Sequence, residues 1–121
     1  MKYLPSKSGK IIEKPDYLKH IIFEQADFLT PGHTLQIVTN PAGKTLRAHF
    51  HKKQTEVGYV LDGQATWTVN GKTYEMKPGD AVIIEPNDVH EIANPYNVDC
   101  HILIFKSHLP PNEPDYFEKS S

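Results

Sequence analysis

The chain has 121 residues, 13 basic and 15 acidic side chains, and a net charge of −2. That length fits one domain burying roughly two-thirds of its unfolded surface, and the balanced charge excludes the basic footprint of a nucleic-acid or anionic-membrane binder. A single cysteine, Cys100, excludes an internal disulfide.

The opening stretch MKYLPSKSGK lacks the apolar run of a secretion signal, and AVII and ILIF are too short to cross a bilayer. A soluble, cytoplasmic protein is therefore expected. Ten prolines, seven glycines and many short apolar runs favour strands over helices. Residues 1–10 form a polar arm, and residues 16–29 leave room for a short helical turn. Residues 34–39 read as extended, and residues 46–51 alternate. ATWTVNGKTYEM predicts a hairpin about Asn70-Gly71, a pair suited to the left-handed turn. Lys77-Pro78-Gly79-Asp80 is a second turn, which Asp80 caps. AVIIE, VHEIA and CHILIF then follow as short strands. This spacing predicts an all-β sandwich or barrel. The chain divides into an arm with entry strands over 1–33, a barrel over 34–108 and a proline-rich tail over 109–121, mobile or docked. There is no internal repeat and no second domain.

Chemistry concentrates in GKTLRAHFHKKQTEVGYVLDG, residues 43–63. Side chains alternate across a strand, so His49 and His51 share a face and Phe50 takes the other. Two imidazoles so placed make a natural pair of metal ligands. Glu56, five residues on, returns beside them through the turn Lys52–Thr55, and His90 in VHEIA is a fourth candidate. Three neutral imidazoles and a carboxylate suit Fe, Mn, Ni, Co, Zn or Cu as a divalent ion. The bland alternative, histidines with ordinary hydrogen bonds, stays open on spacing alone.

The spacing also resembles the cupin family. Its first motif runs glycine, five residues, H-x-H, three or four residues, glutamate, six residues, glycine. Gly43, His49, His51, Glu56 and Gly63 fit every position. In the second motif Gly79, His90 and Asn94 keep their spacing over residues 79–94. Pro86 sits one residue late, and Asn87-Asp88 occupy the turn in place of glycine. The resemblance implies an all-β jelly-roll barrel (a double-stranded β-helix) with a metal held by His49, His51, Glu56 and His90. It also implies a homodimer.

Arg47, the sole arginine, shares the parity of His49 and His51, so a regular strand aims it into the same space as a tentative anchor for a substrate carboxylate or phosphate. Gln36, Tyr59, Trp67 and His101 are weaker candidates, with Trp67 and Phe105 read as core or interface. Cys100 has only His101 beside it, on the opposite strand face, which argues against a nucleophile. The fold leaves the reaction open. The favoured expectation is a metal-dependent dioxygenase or other oxidoreductase acting on a small organic molecule. The alternatives are a metal-dependent sugar isomerase or epimerase and a non-catalytic module that binds or senses a small ligand.

Overall fold

The computed structural model describes residues 1–119. Eleven strands and one 3₁₀ turn make up its regular structure. The strands are β1 (Lys10–Glu13), β2 (Leu18–Phe23), β3 (Thr34–Asn40), β4 (Thr45–Phe50), β5 (Thr55–Asp62) and β6 (Ala65–Val69). They continue with β7 (Lys72–Met76), β8 (Ala81–Ile84), β9 (His90–Ala93), β10 (Cys100–Ser107) and β11 (Phe117–Glu118). A six-stranded antiparallel sheet has the order β1-β2-β3-β10-β5-β8, and a five-stranded sheet the order β11-β4-β9-β6-β7. This is a jelly roll, as expected. No helix among the described residues is long and apolar enough to cross a membrane.

Period-two alternation explains the layers. Along β10, Cys100, Ile102 and Ile104 are buried while His101 and Leu103 are only partly covered. Along β3 the buried positions are Gln36, Val38 and Asn40. These faces meet Leu46, Trp67 and Ile92 of the second sheet in one apolar cluster. The outer face of the larger sheet leaves Val57, Tyr59 and Leu61 of β5 and Ile83 of β8 in water.

Turn chemistry sets the register. Asn70 (φ 49°) and Gly71 (φ 83°) both take the left-handed region and close the β6–β7 hairpin. Asp80 caps its turn as expected, its carboxylate accepting Lys77 N–H at 3.0 Å. In the turn before β9, Asp88 N–H bonds Glu85 C=O at 3.1 Å, Pro86 fills the second position and Asn87 the third. Asn87 adopts φ 72°, so it replaces the family's glycine with a residue that tolerates the left-handed region. The second motif's Asn94 is structural. Its amide donates to Asn40 O and Val98 O, both at 2.9 Å, and its backbone ties to Gly43 and Lys44.

Two stretches settle what the local reading left open. The short helical turn expected within residues 16–29 is the 3₁₀ turn Gln25–Asp27, and Leu18–Phe23 of the same stretch is β2, paired on both sides with β1 and β3. The tail is docked. β11 pairs with β4, Phe117 stacks on Phe50 at 5.5 Å, and the buried Asp115 carboxylate accepts three backbone N–H groups. These come from Lys52 at 2.8 Å, Lys53 at 3.0 Å and Gln54 at 2.8 Å. Ser120 and Ser121, the last residues of the tail 109–121, lie outside the described residues.

The two glycines that bracket the first motif should respond differently to alanine. Gly43 (φ 78°) faces open space, so Gly43→Ala should cost only the left-handed strain, about 1–2 kcal/mol. At Gly63 (φ 74°) a Cβ would meet Asp99 O at 2.3 Å and Cys100 Cα at 2.7 Å. Overpacking adds about 1–3 kcal/mol there. Denaturant unfolding should show the larger loss in Gly63→Ala, and equal losses would contradict the packing argument. Asp115→Ala leaves three turn N–H groups without an acceptor, that of Gln54 buried and those of Lys52 and Lys53 partly so, and unfolding should show a loss of about 3 kcal/mol, with faster proteolysis of the tail. A tail as protease-resistant as wild type would remove Asp115 as its anchor.

Candidate metal centre

The paired histidines do not sit on a plain strand. Leu46 pairs with Ile92 and His49 with His90, so three steps along β4 answer two along β9. That extra residue is a β-bulge, and it switches which parity faces inward. Leu46 and His49 are both buried, and Arg47 is exposed. Arg47 lies in an outer groove with Lys14, Asp16 and Glu118 rather than in the barrel cavity. The inward aim expected for Arg47 from regular alternation is thus corrected by the bulge.

His49, His51 and His90 are 4%, 4% and 1% exposed. One ring nitrogen from each lies within 4.8 Å of the others. Each Nδ1 faces a backbone carbonyl: His49 to Arg47 O at 2.7 Å, His51 to Asp115 O at 2.5 Å and His90 to Asp88 O at 2.9 Å. A carbonyl only accepts, so each Nδ1 carries a proton, and in a neutral ring that leaves Nε2 with the lone pair. Nε2 of His51 and His90 are buried without a hydrogen-bond partner. Orphaned acceptors of this kind are costly and call for an explanation. A cation between them supplies one, and carbonyl-bound Nδ1–H groups are the usual support for ligating imidazoles.

Glu56 enters from β5. Its Oε1 lies 3.1 Å from His51 Nε2, though that contact is not aligned as a hydrogen bond. The same oxygen accepts Gln54 Nε2–H at 2.8 Å and stands 3.8 Å from Lys106 Nζ. Glu56 is not within 4.8 Å of all three ring nitrogens, so it joins the cluster at its His51 side. Burial alone would raise its carboxyl, but His51, Lys106 and His90 outweigh burial and hold it down to about 2. Burial drives the His49 imidazole down to about 4, with His90 and His51 adding to the effect, and burial likewise lowers His90. An ionised carboxylate beside neutral imidazoles is a mixed O/N donor set fit for a divalent transition ion.

Aromatic rings wall the cluster. Tyr116 from the docked tail stacks on His49 at 4.5 Å and 21°, and Trp67 lies parallel to His90 at 6.4 Å. The cavity they enclose is about 60 Å³ and is lined otherwise by apolar side chains, Gln36, Tyr17, Lys19 and Lys106. A wider surface groove of about 720 Å³, between Pro31, Gly32 and the His108–Glu113 segment, contains none of the four candidate ligands.

The weaker candidates separate cleanly. Gln36 and Trp67 line the cavity, whereas Tyr59 is 47% exposed. His101 pairs with Asp62 away from the site. The Cys100 thiol is fully buried and pushed up to about 11 by burial and by Asp62, which makes it unreactive. Sequence reasoning missed Lys19, Lys106, Asp115 and Tyr116. A signal existed for Lys106, because it continues the inward parity of Ile102 and Ile104. Asp115 and Tyr116 carried none, since a proline-rich tail has no periodicity to read.

Residues 36–106 match the family model described as the cupin domain. The chain is 30% identical over 99 residues to a quercetin 2,3-dioxygenase of Bacillus subtilis, covering 81% of this chain and 28% of that protein. It is 32% identical over 63 residues to an oxalate-binding protein of Thermotoga maritima, covering 52% of each. The chain therefore spans about half or less of the length of these curated relatives. The polyketide cyclase RemF of Streptomyces resistomycificus superposes with a TM-score of 0.81 at 20% identity, over 100% of this chain and 87% of that one, a likeness of fold. With the family's domain model matching more than half of its length, the chain belongs to the cupin family.

Proposed function

We propose that His49, His51, Glu56 and His90 hold one divalent transition ion and that this cupin acts on a small organic molecule, with oxidation by dioxygen the favoured reaction. The observation that carries the metal is the set of three buried rings whose Nδ1 protons are committed to carbonyls while Nε2 of His51 and His90 has no partner. Bound there, such an ion supplies a Lewis acid and, if redox-active, reactivity toward dioxygen. The chain's own residues do the rest. Gln54 steadies the Glu56 carboxylate. Tyr116 and the walls of Val38, Ile102 and Ile104 exclude water. The reaction type leans on the Bacillus relative's name and nothing finer.

A second reading is binding without turnover. The small cavity and the Thermotoga relative's name support it. A sugar isomerase or epimerase is the further alternative, with Tyr17, Lys19, Gln36 and Lys106 as hydrogen-bonding groups on the same wall. Self-association as a homodimer belongs to the proposal too, and the exposed apolar face of Val57, Leu61 and Ile83 supports it.

Protein purified without a histidine tag or chelator should contain a transition metal by elemental analysis. The His49→Ala, His51→Ala variant should retain only background, and equal metal in both would remove the assignment. Oxygen uptake that tracks iron, manganese or nickel loading would support oxidation. Tight ligand binding with no turnover under any of the six metals would move the protein to the binding class, and anaerobic conversion of a sugar phosphate would move it to the isomerases. Light scattering should return a dimer mass that falls to a monomer in Ile83→Asp. A monomeric wild type would end the dimer reading.

A further inference from the structure

The histidine cavity, at about 60 Å³, has room for a few waters and for no larger organic molecule unless part of its wall moves. Val38, Ile102 and Ile104 stand on β3 and β10, and Trp67 and Ile92 on β6 and β9, all strands paired on both sides. Four other residues, Tyr17, Lys19, Leu46 and Tyr116, border both this cavity and the outer groove that holds Arg47. That groove has a volume of about 590 Å³. The groove between β7 and β8 meets the cavity only at Trp67, which is 1% exposed. The largest shared wall therefore faces the outer groove.

Of the four, only Tyr116 lies against imidazoles, stacked on His49 and edge-on to His51 at 6.1 Å. Its side chain is held by ring contacts alone, because its hydroxyl has no hydrogen-bond partner among the described residues. The residue is 38% exposed on its outer side. The main chain around it is fastened, by contrast. The Asp115 carboxylate accepts its three N–H groups on one side. On the other, Phe117 stacks on Phe50 with Lys52 Nζ 4.3 Å from its ring centroid, and Lys119 N–H donates to Ala48 O at 2.9 Å. A ring between two pinned residues can turn about its own side-chain bonds without lifting the tail. The Asp115 carbonyl then keeps its hold on His51 throughout.

We propose that Tyr116 is the gate of the histidine cavity. Its ring swings off His49 toward the outer groove while the tail stays docked, and a substrate enters along that path with its reacting end inward and its body left in the groove. The face of His49 that the tyrosine covers is then the face that receives the incoming molecule. A narrow reacting end on a larger, partly polar body fits this arrangement, since Lys14, Asp16, Arg47 and Glu118 line the groove beside Pro15 and Pro114. The cavity's role as the place of reaction rests on the function proposed above, whereas the gate itself needs no metal.

Trp67 is the sole tryptophan and lines the cavity, so its fluorescence reports what gets in. Acrylamide is the probe, on zinc-loaded and metal-free protein alike. Wild type and Tyr116→Phe should be quenched weakly and equally, because the ring rather than the hydroxyl closes the path. Tyr116→Ala should be quenched severalfold more strongly, with its tail as protease-resistant as wild type. Quenching unchanged in Tyr116→Ala would overturn the gate. So would a larger rise in Tyr74→Ala, which opens the β7–β8 groove instead. A Tyr116→Ala tail that proteases cut faster would make the ring a strut of the tail and end the proposal. Stopped-flow binding of imidazole to cobalt-loaded protein reads the motion. In wild type the observed rate should level off with imidazole concentration, at the rate of opening, and in Tyr116→Ala it should keep rising. A wild-type rate that rises as in Tyr116→Ala would rule out the swing. Protein that takes up no cobalt, with quenching as expected, would uphold the gate and overturn the four-ligand metal reading instead.

Discussion

Three hydrogen bonds from imidazole Nδ1 to main-chain carbonyls are the constraint on which this site depends. Each one fixes a tautomer, a ring orientation and the direction of an Nε2 lone pair. The acceptors come from three different places: the β4 bulge, the turn before β9 and the docked tail. The backbone must therefore be irregular at two of these points for the rings to converge. Regular strands would carry the same histidines without supplying the same acceptors. The bulge serves twice, since it also turns Arg47 outward and leaves the inner face to Leu46 and His49.

Much of the architecture was legible because its signals are local. Asn70-Gly71 and Pro78-Gly79 mark turns through backbone chemistry, and the runs between them alternate with period two. The convergence of His49, His51, Glu56 and His90 was legible because their spacing matches a family pattern. The parts that were not legible depend on contacts distant in sequence. A bulge adds one residue to a ladder whose partner lies more than forty residues away, and no local composition announces it. β2 lacks a period-two pattern, every residue being half-buried, and its place between β1 and β3 shows only in the fold. Asp115 and Tyr116 matter only through what they reach across the fold.

The cavity combines charged side chains with an apolar wall. Lys106 takes a position that parity assigns to the core and stands 3.8 Å from Glu56 Oε1, while Lys19, on the same sheet, borders both the cavity and the outer groove. Burial, then Lys106 and Lys14, lowers the Lys19 ammonium to about 8, with Glu56 opposing. A half-buried ammonium in such a place weakens folding. The apolar remainder of the wall, Val38, Leu46 and Ile92 among it, strengthens every electrostatic contact by keeping water out.

The docked tail also gives the site an order of assembly. A growing chain presents His49 and His51 first, then Glu56, then His90. The carbonyl that sets the His51 tautomer belongs to Asp115, 64 residues later. During synthesis from the N-terminus, His49 has its Arg47 carbonyl at hand, whereas His51 waits without its own while β5 to β10 are made. An imidazole without that carbonyl can present either nitrogen. Only the docking of Asp115 selects one, so the geometry of the His51 ring is completed by the tail rather than by the strands that carry the other rings.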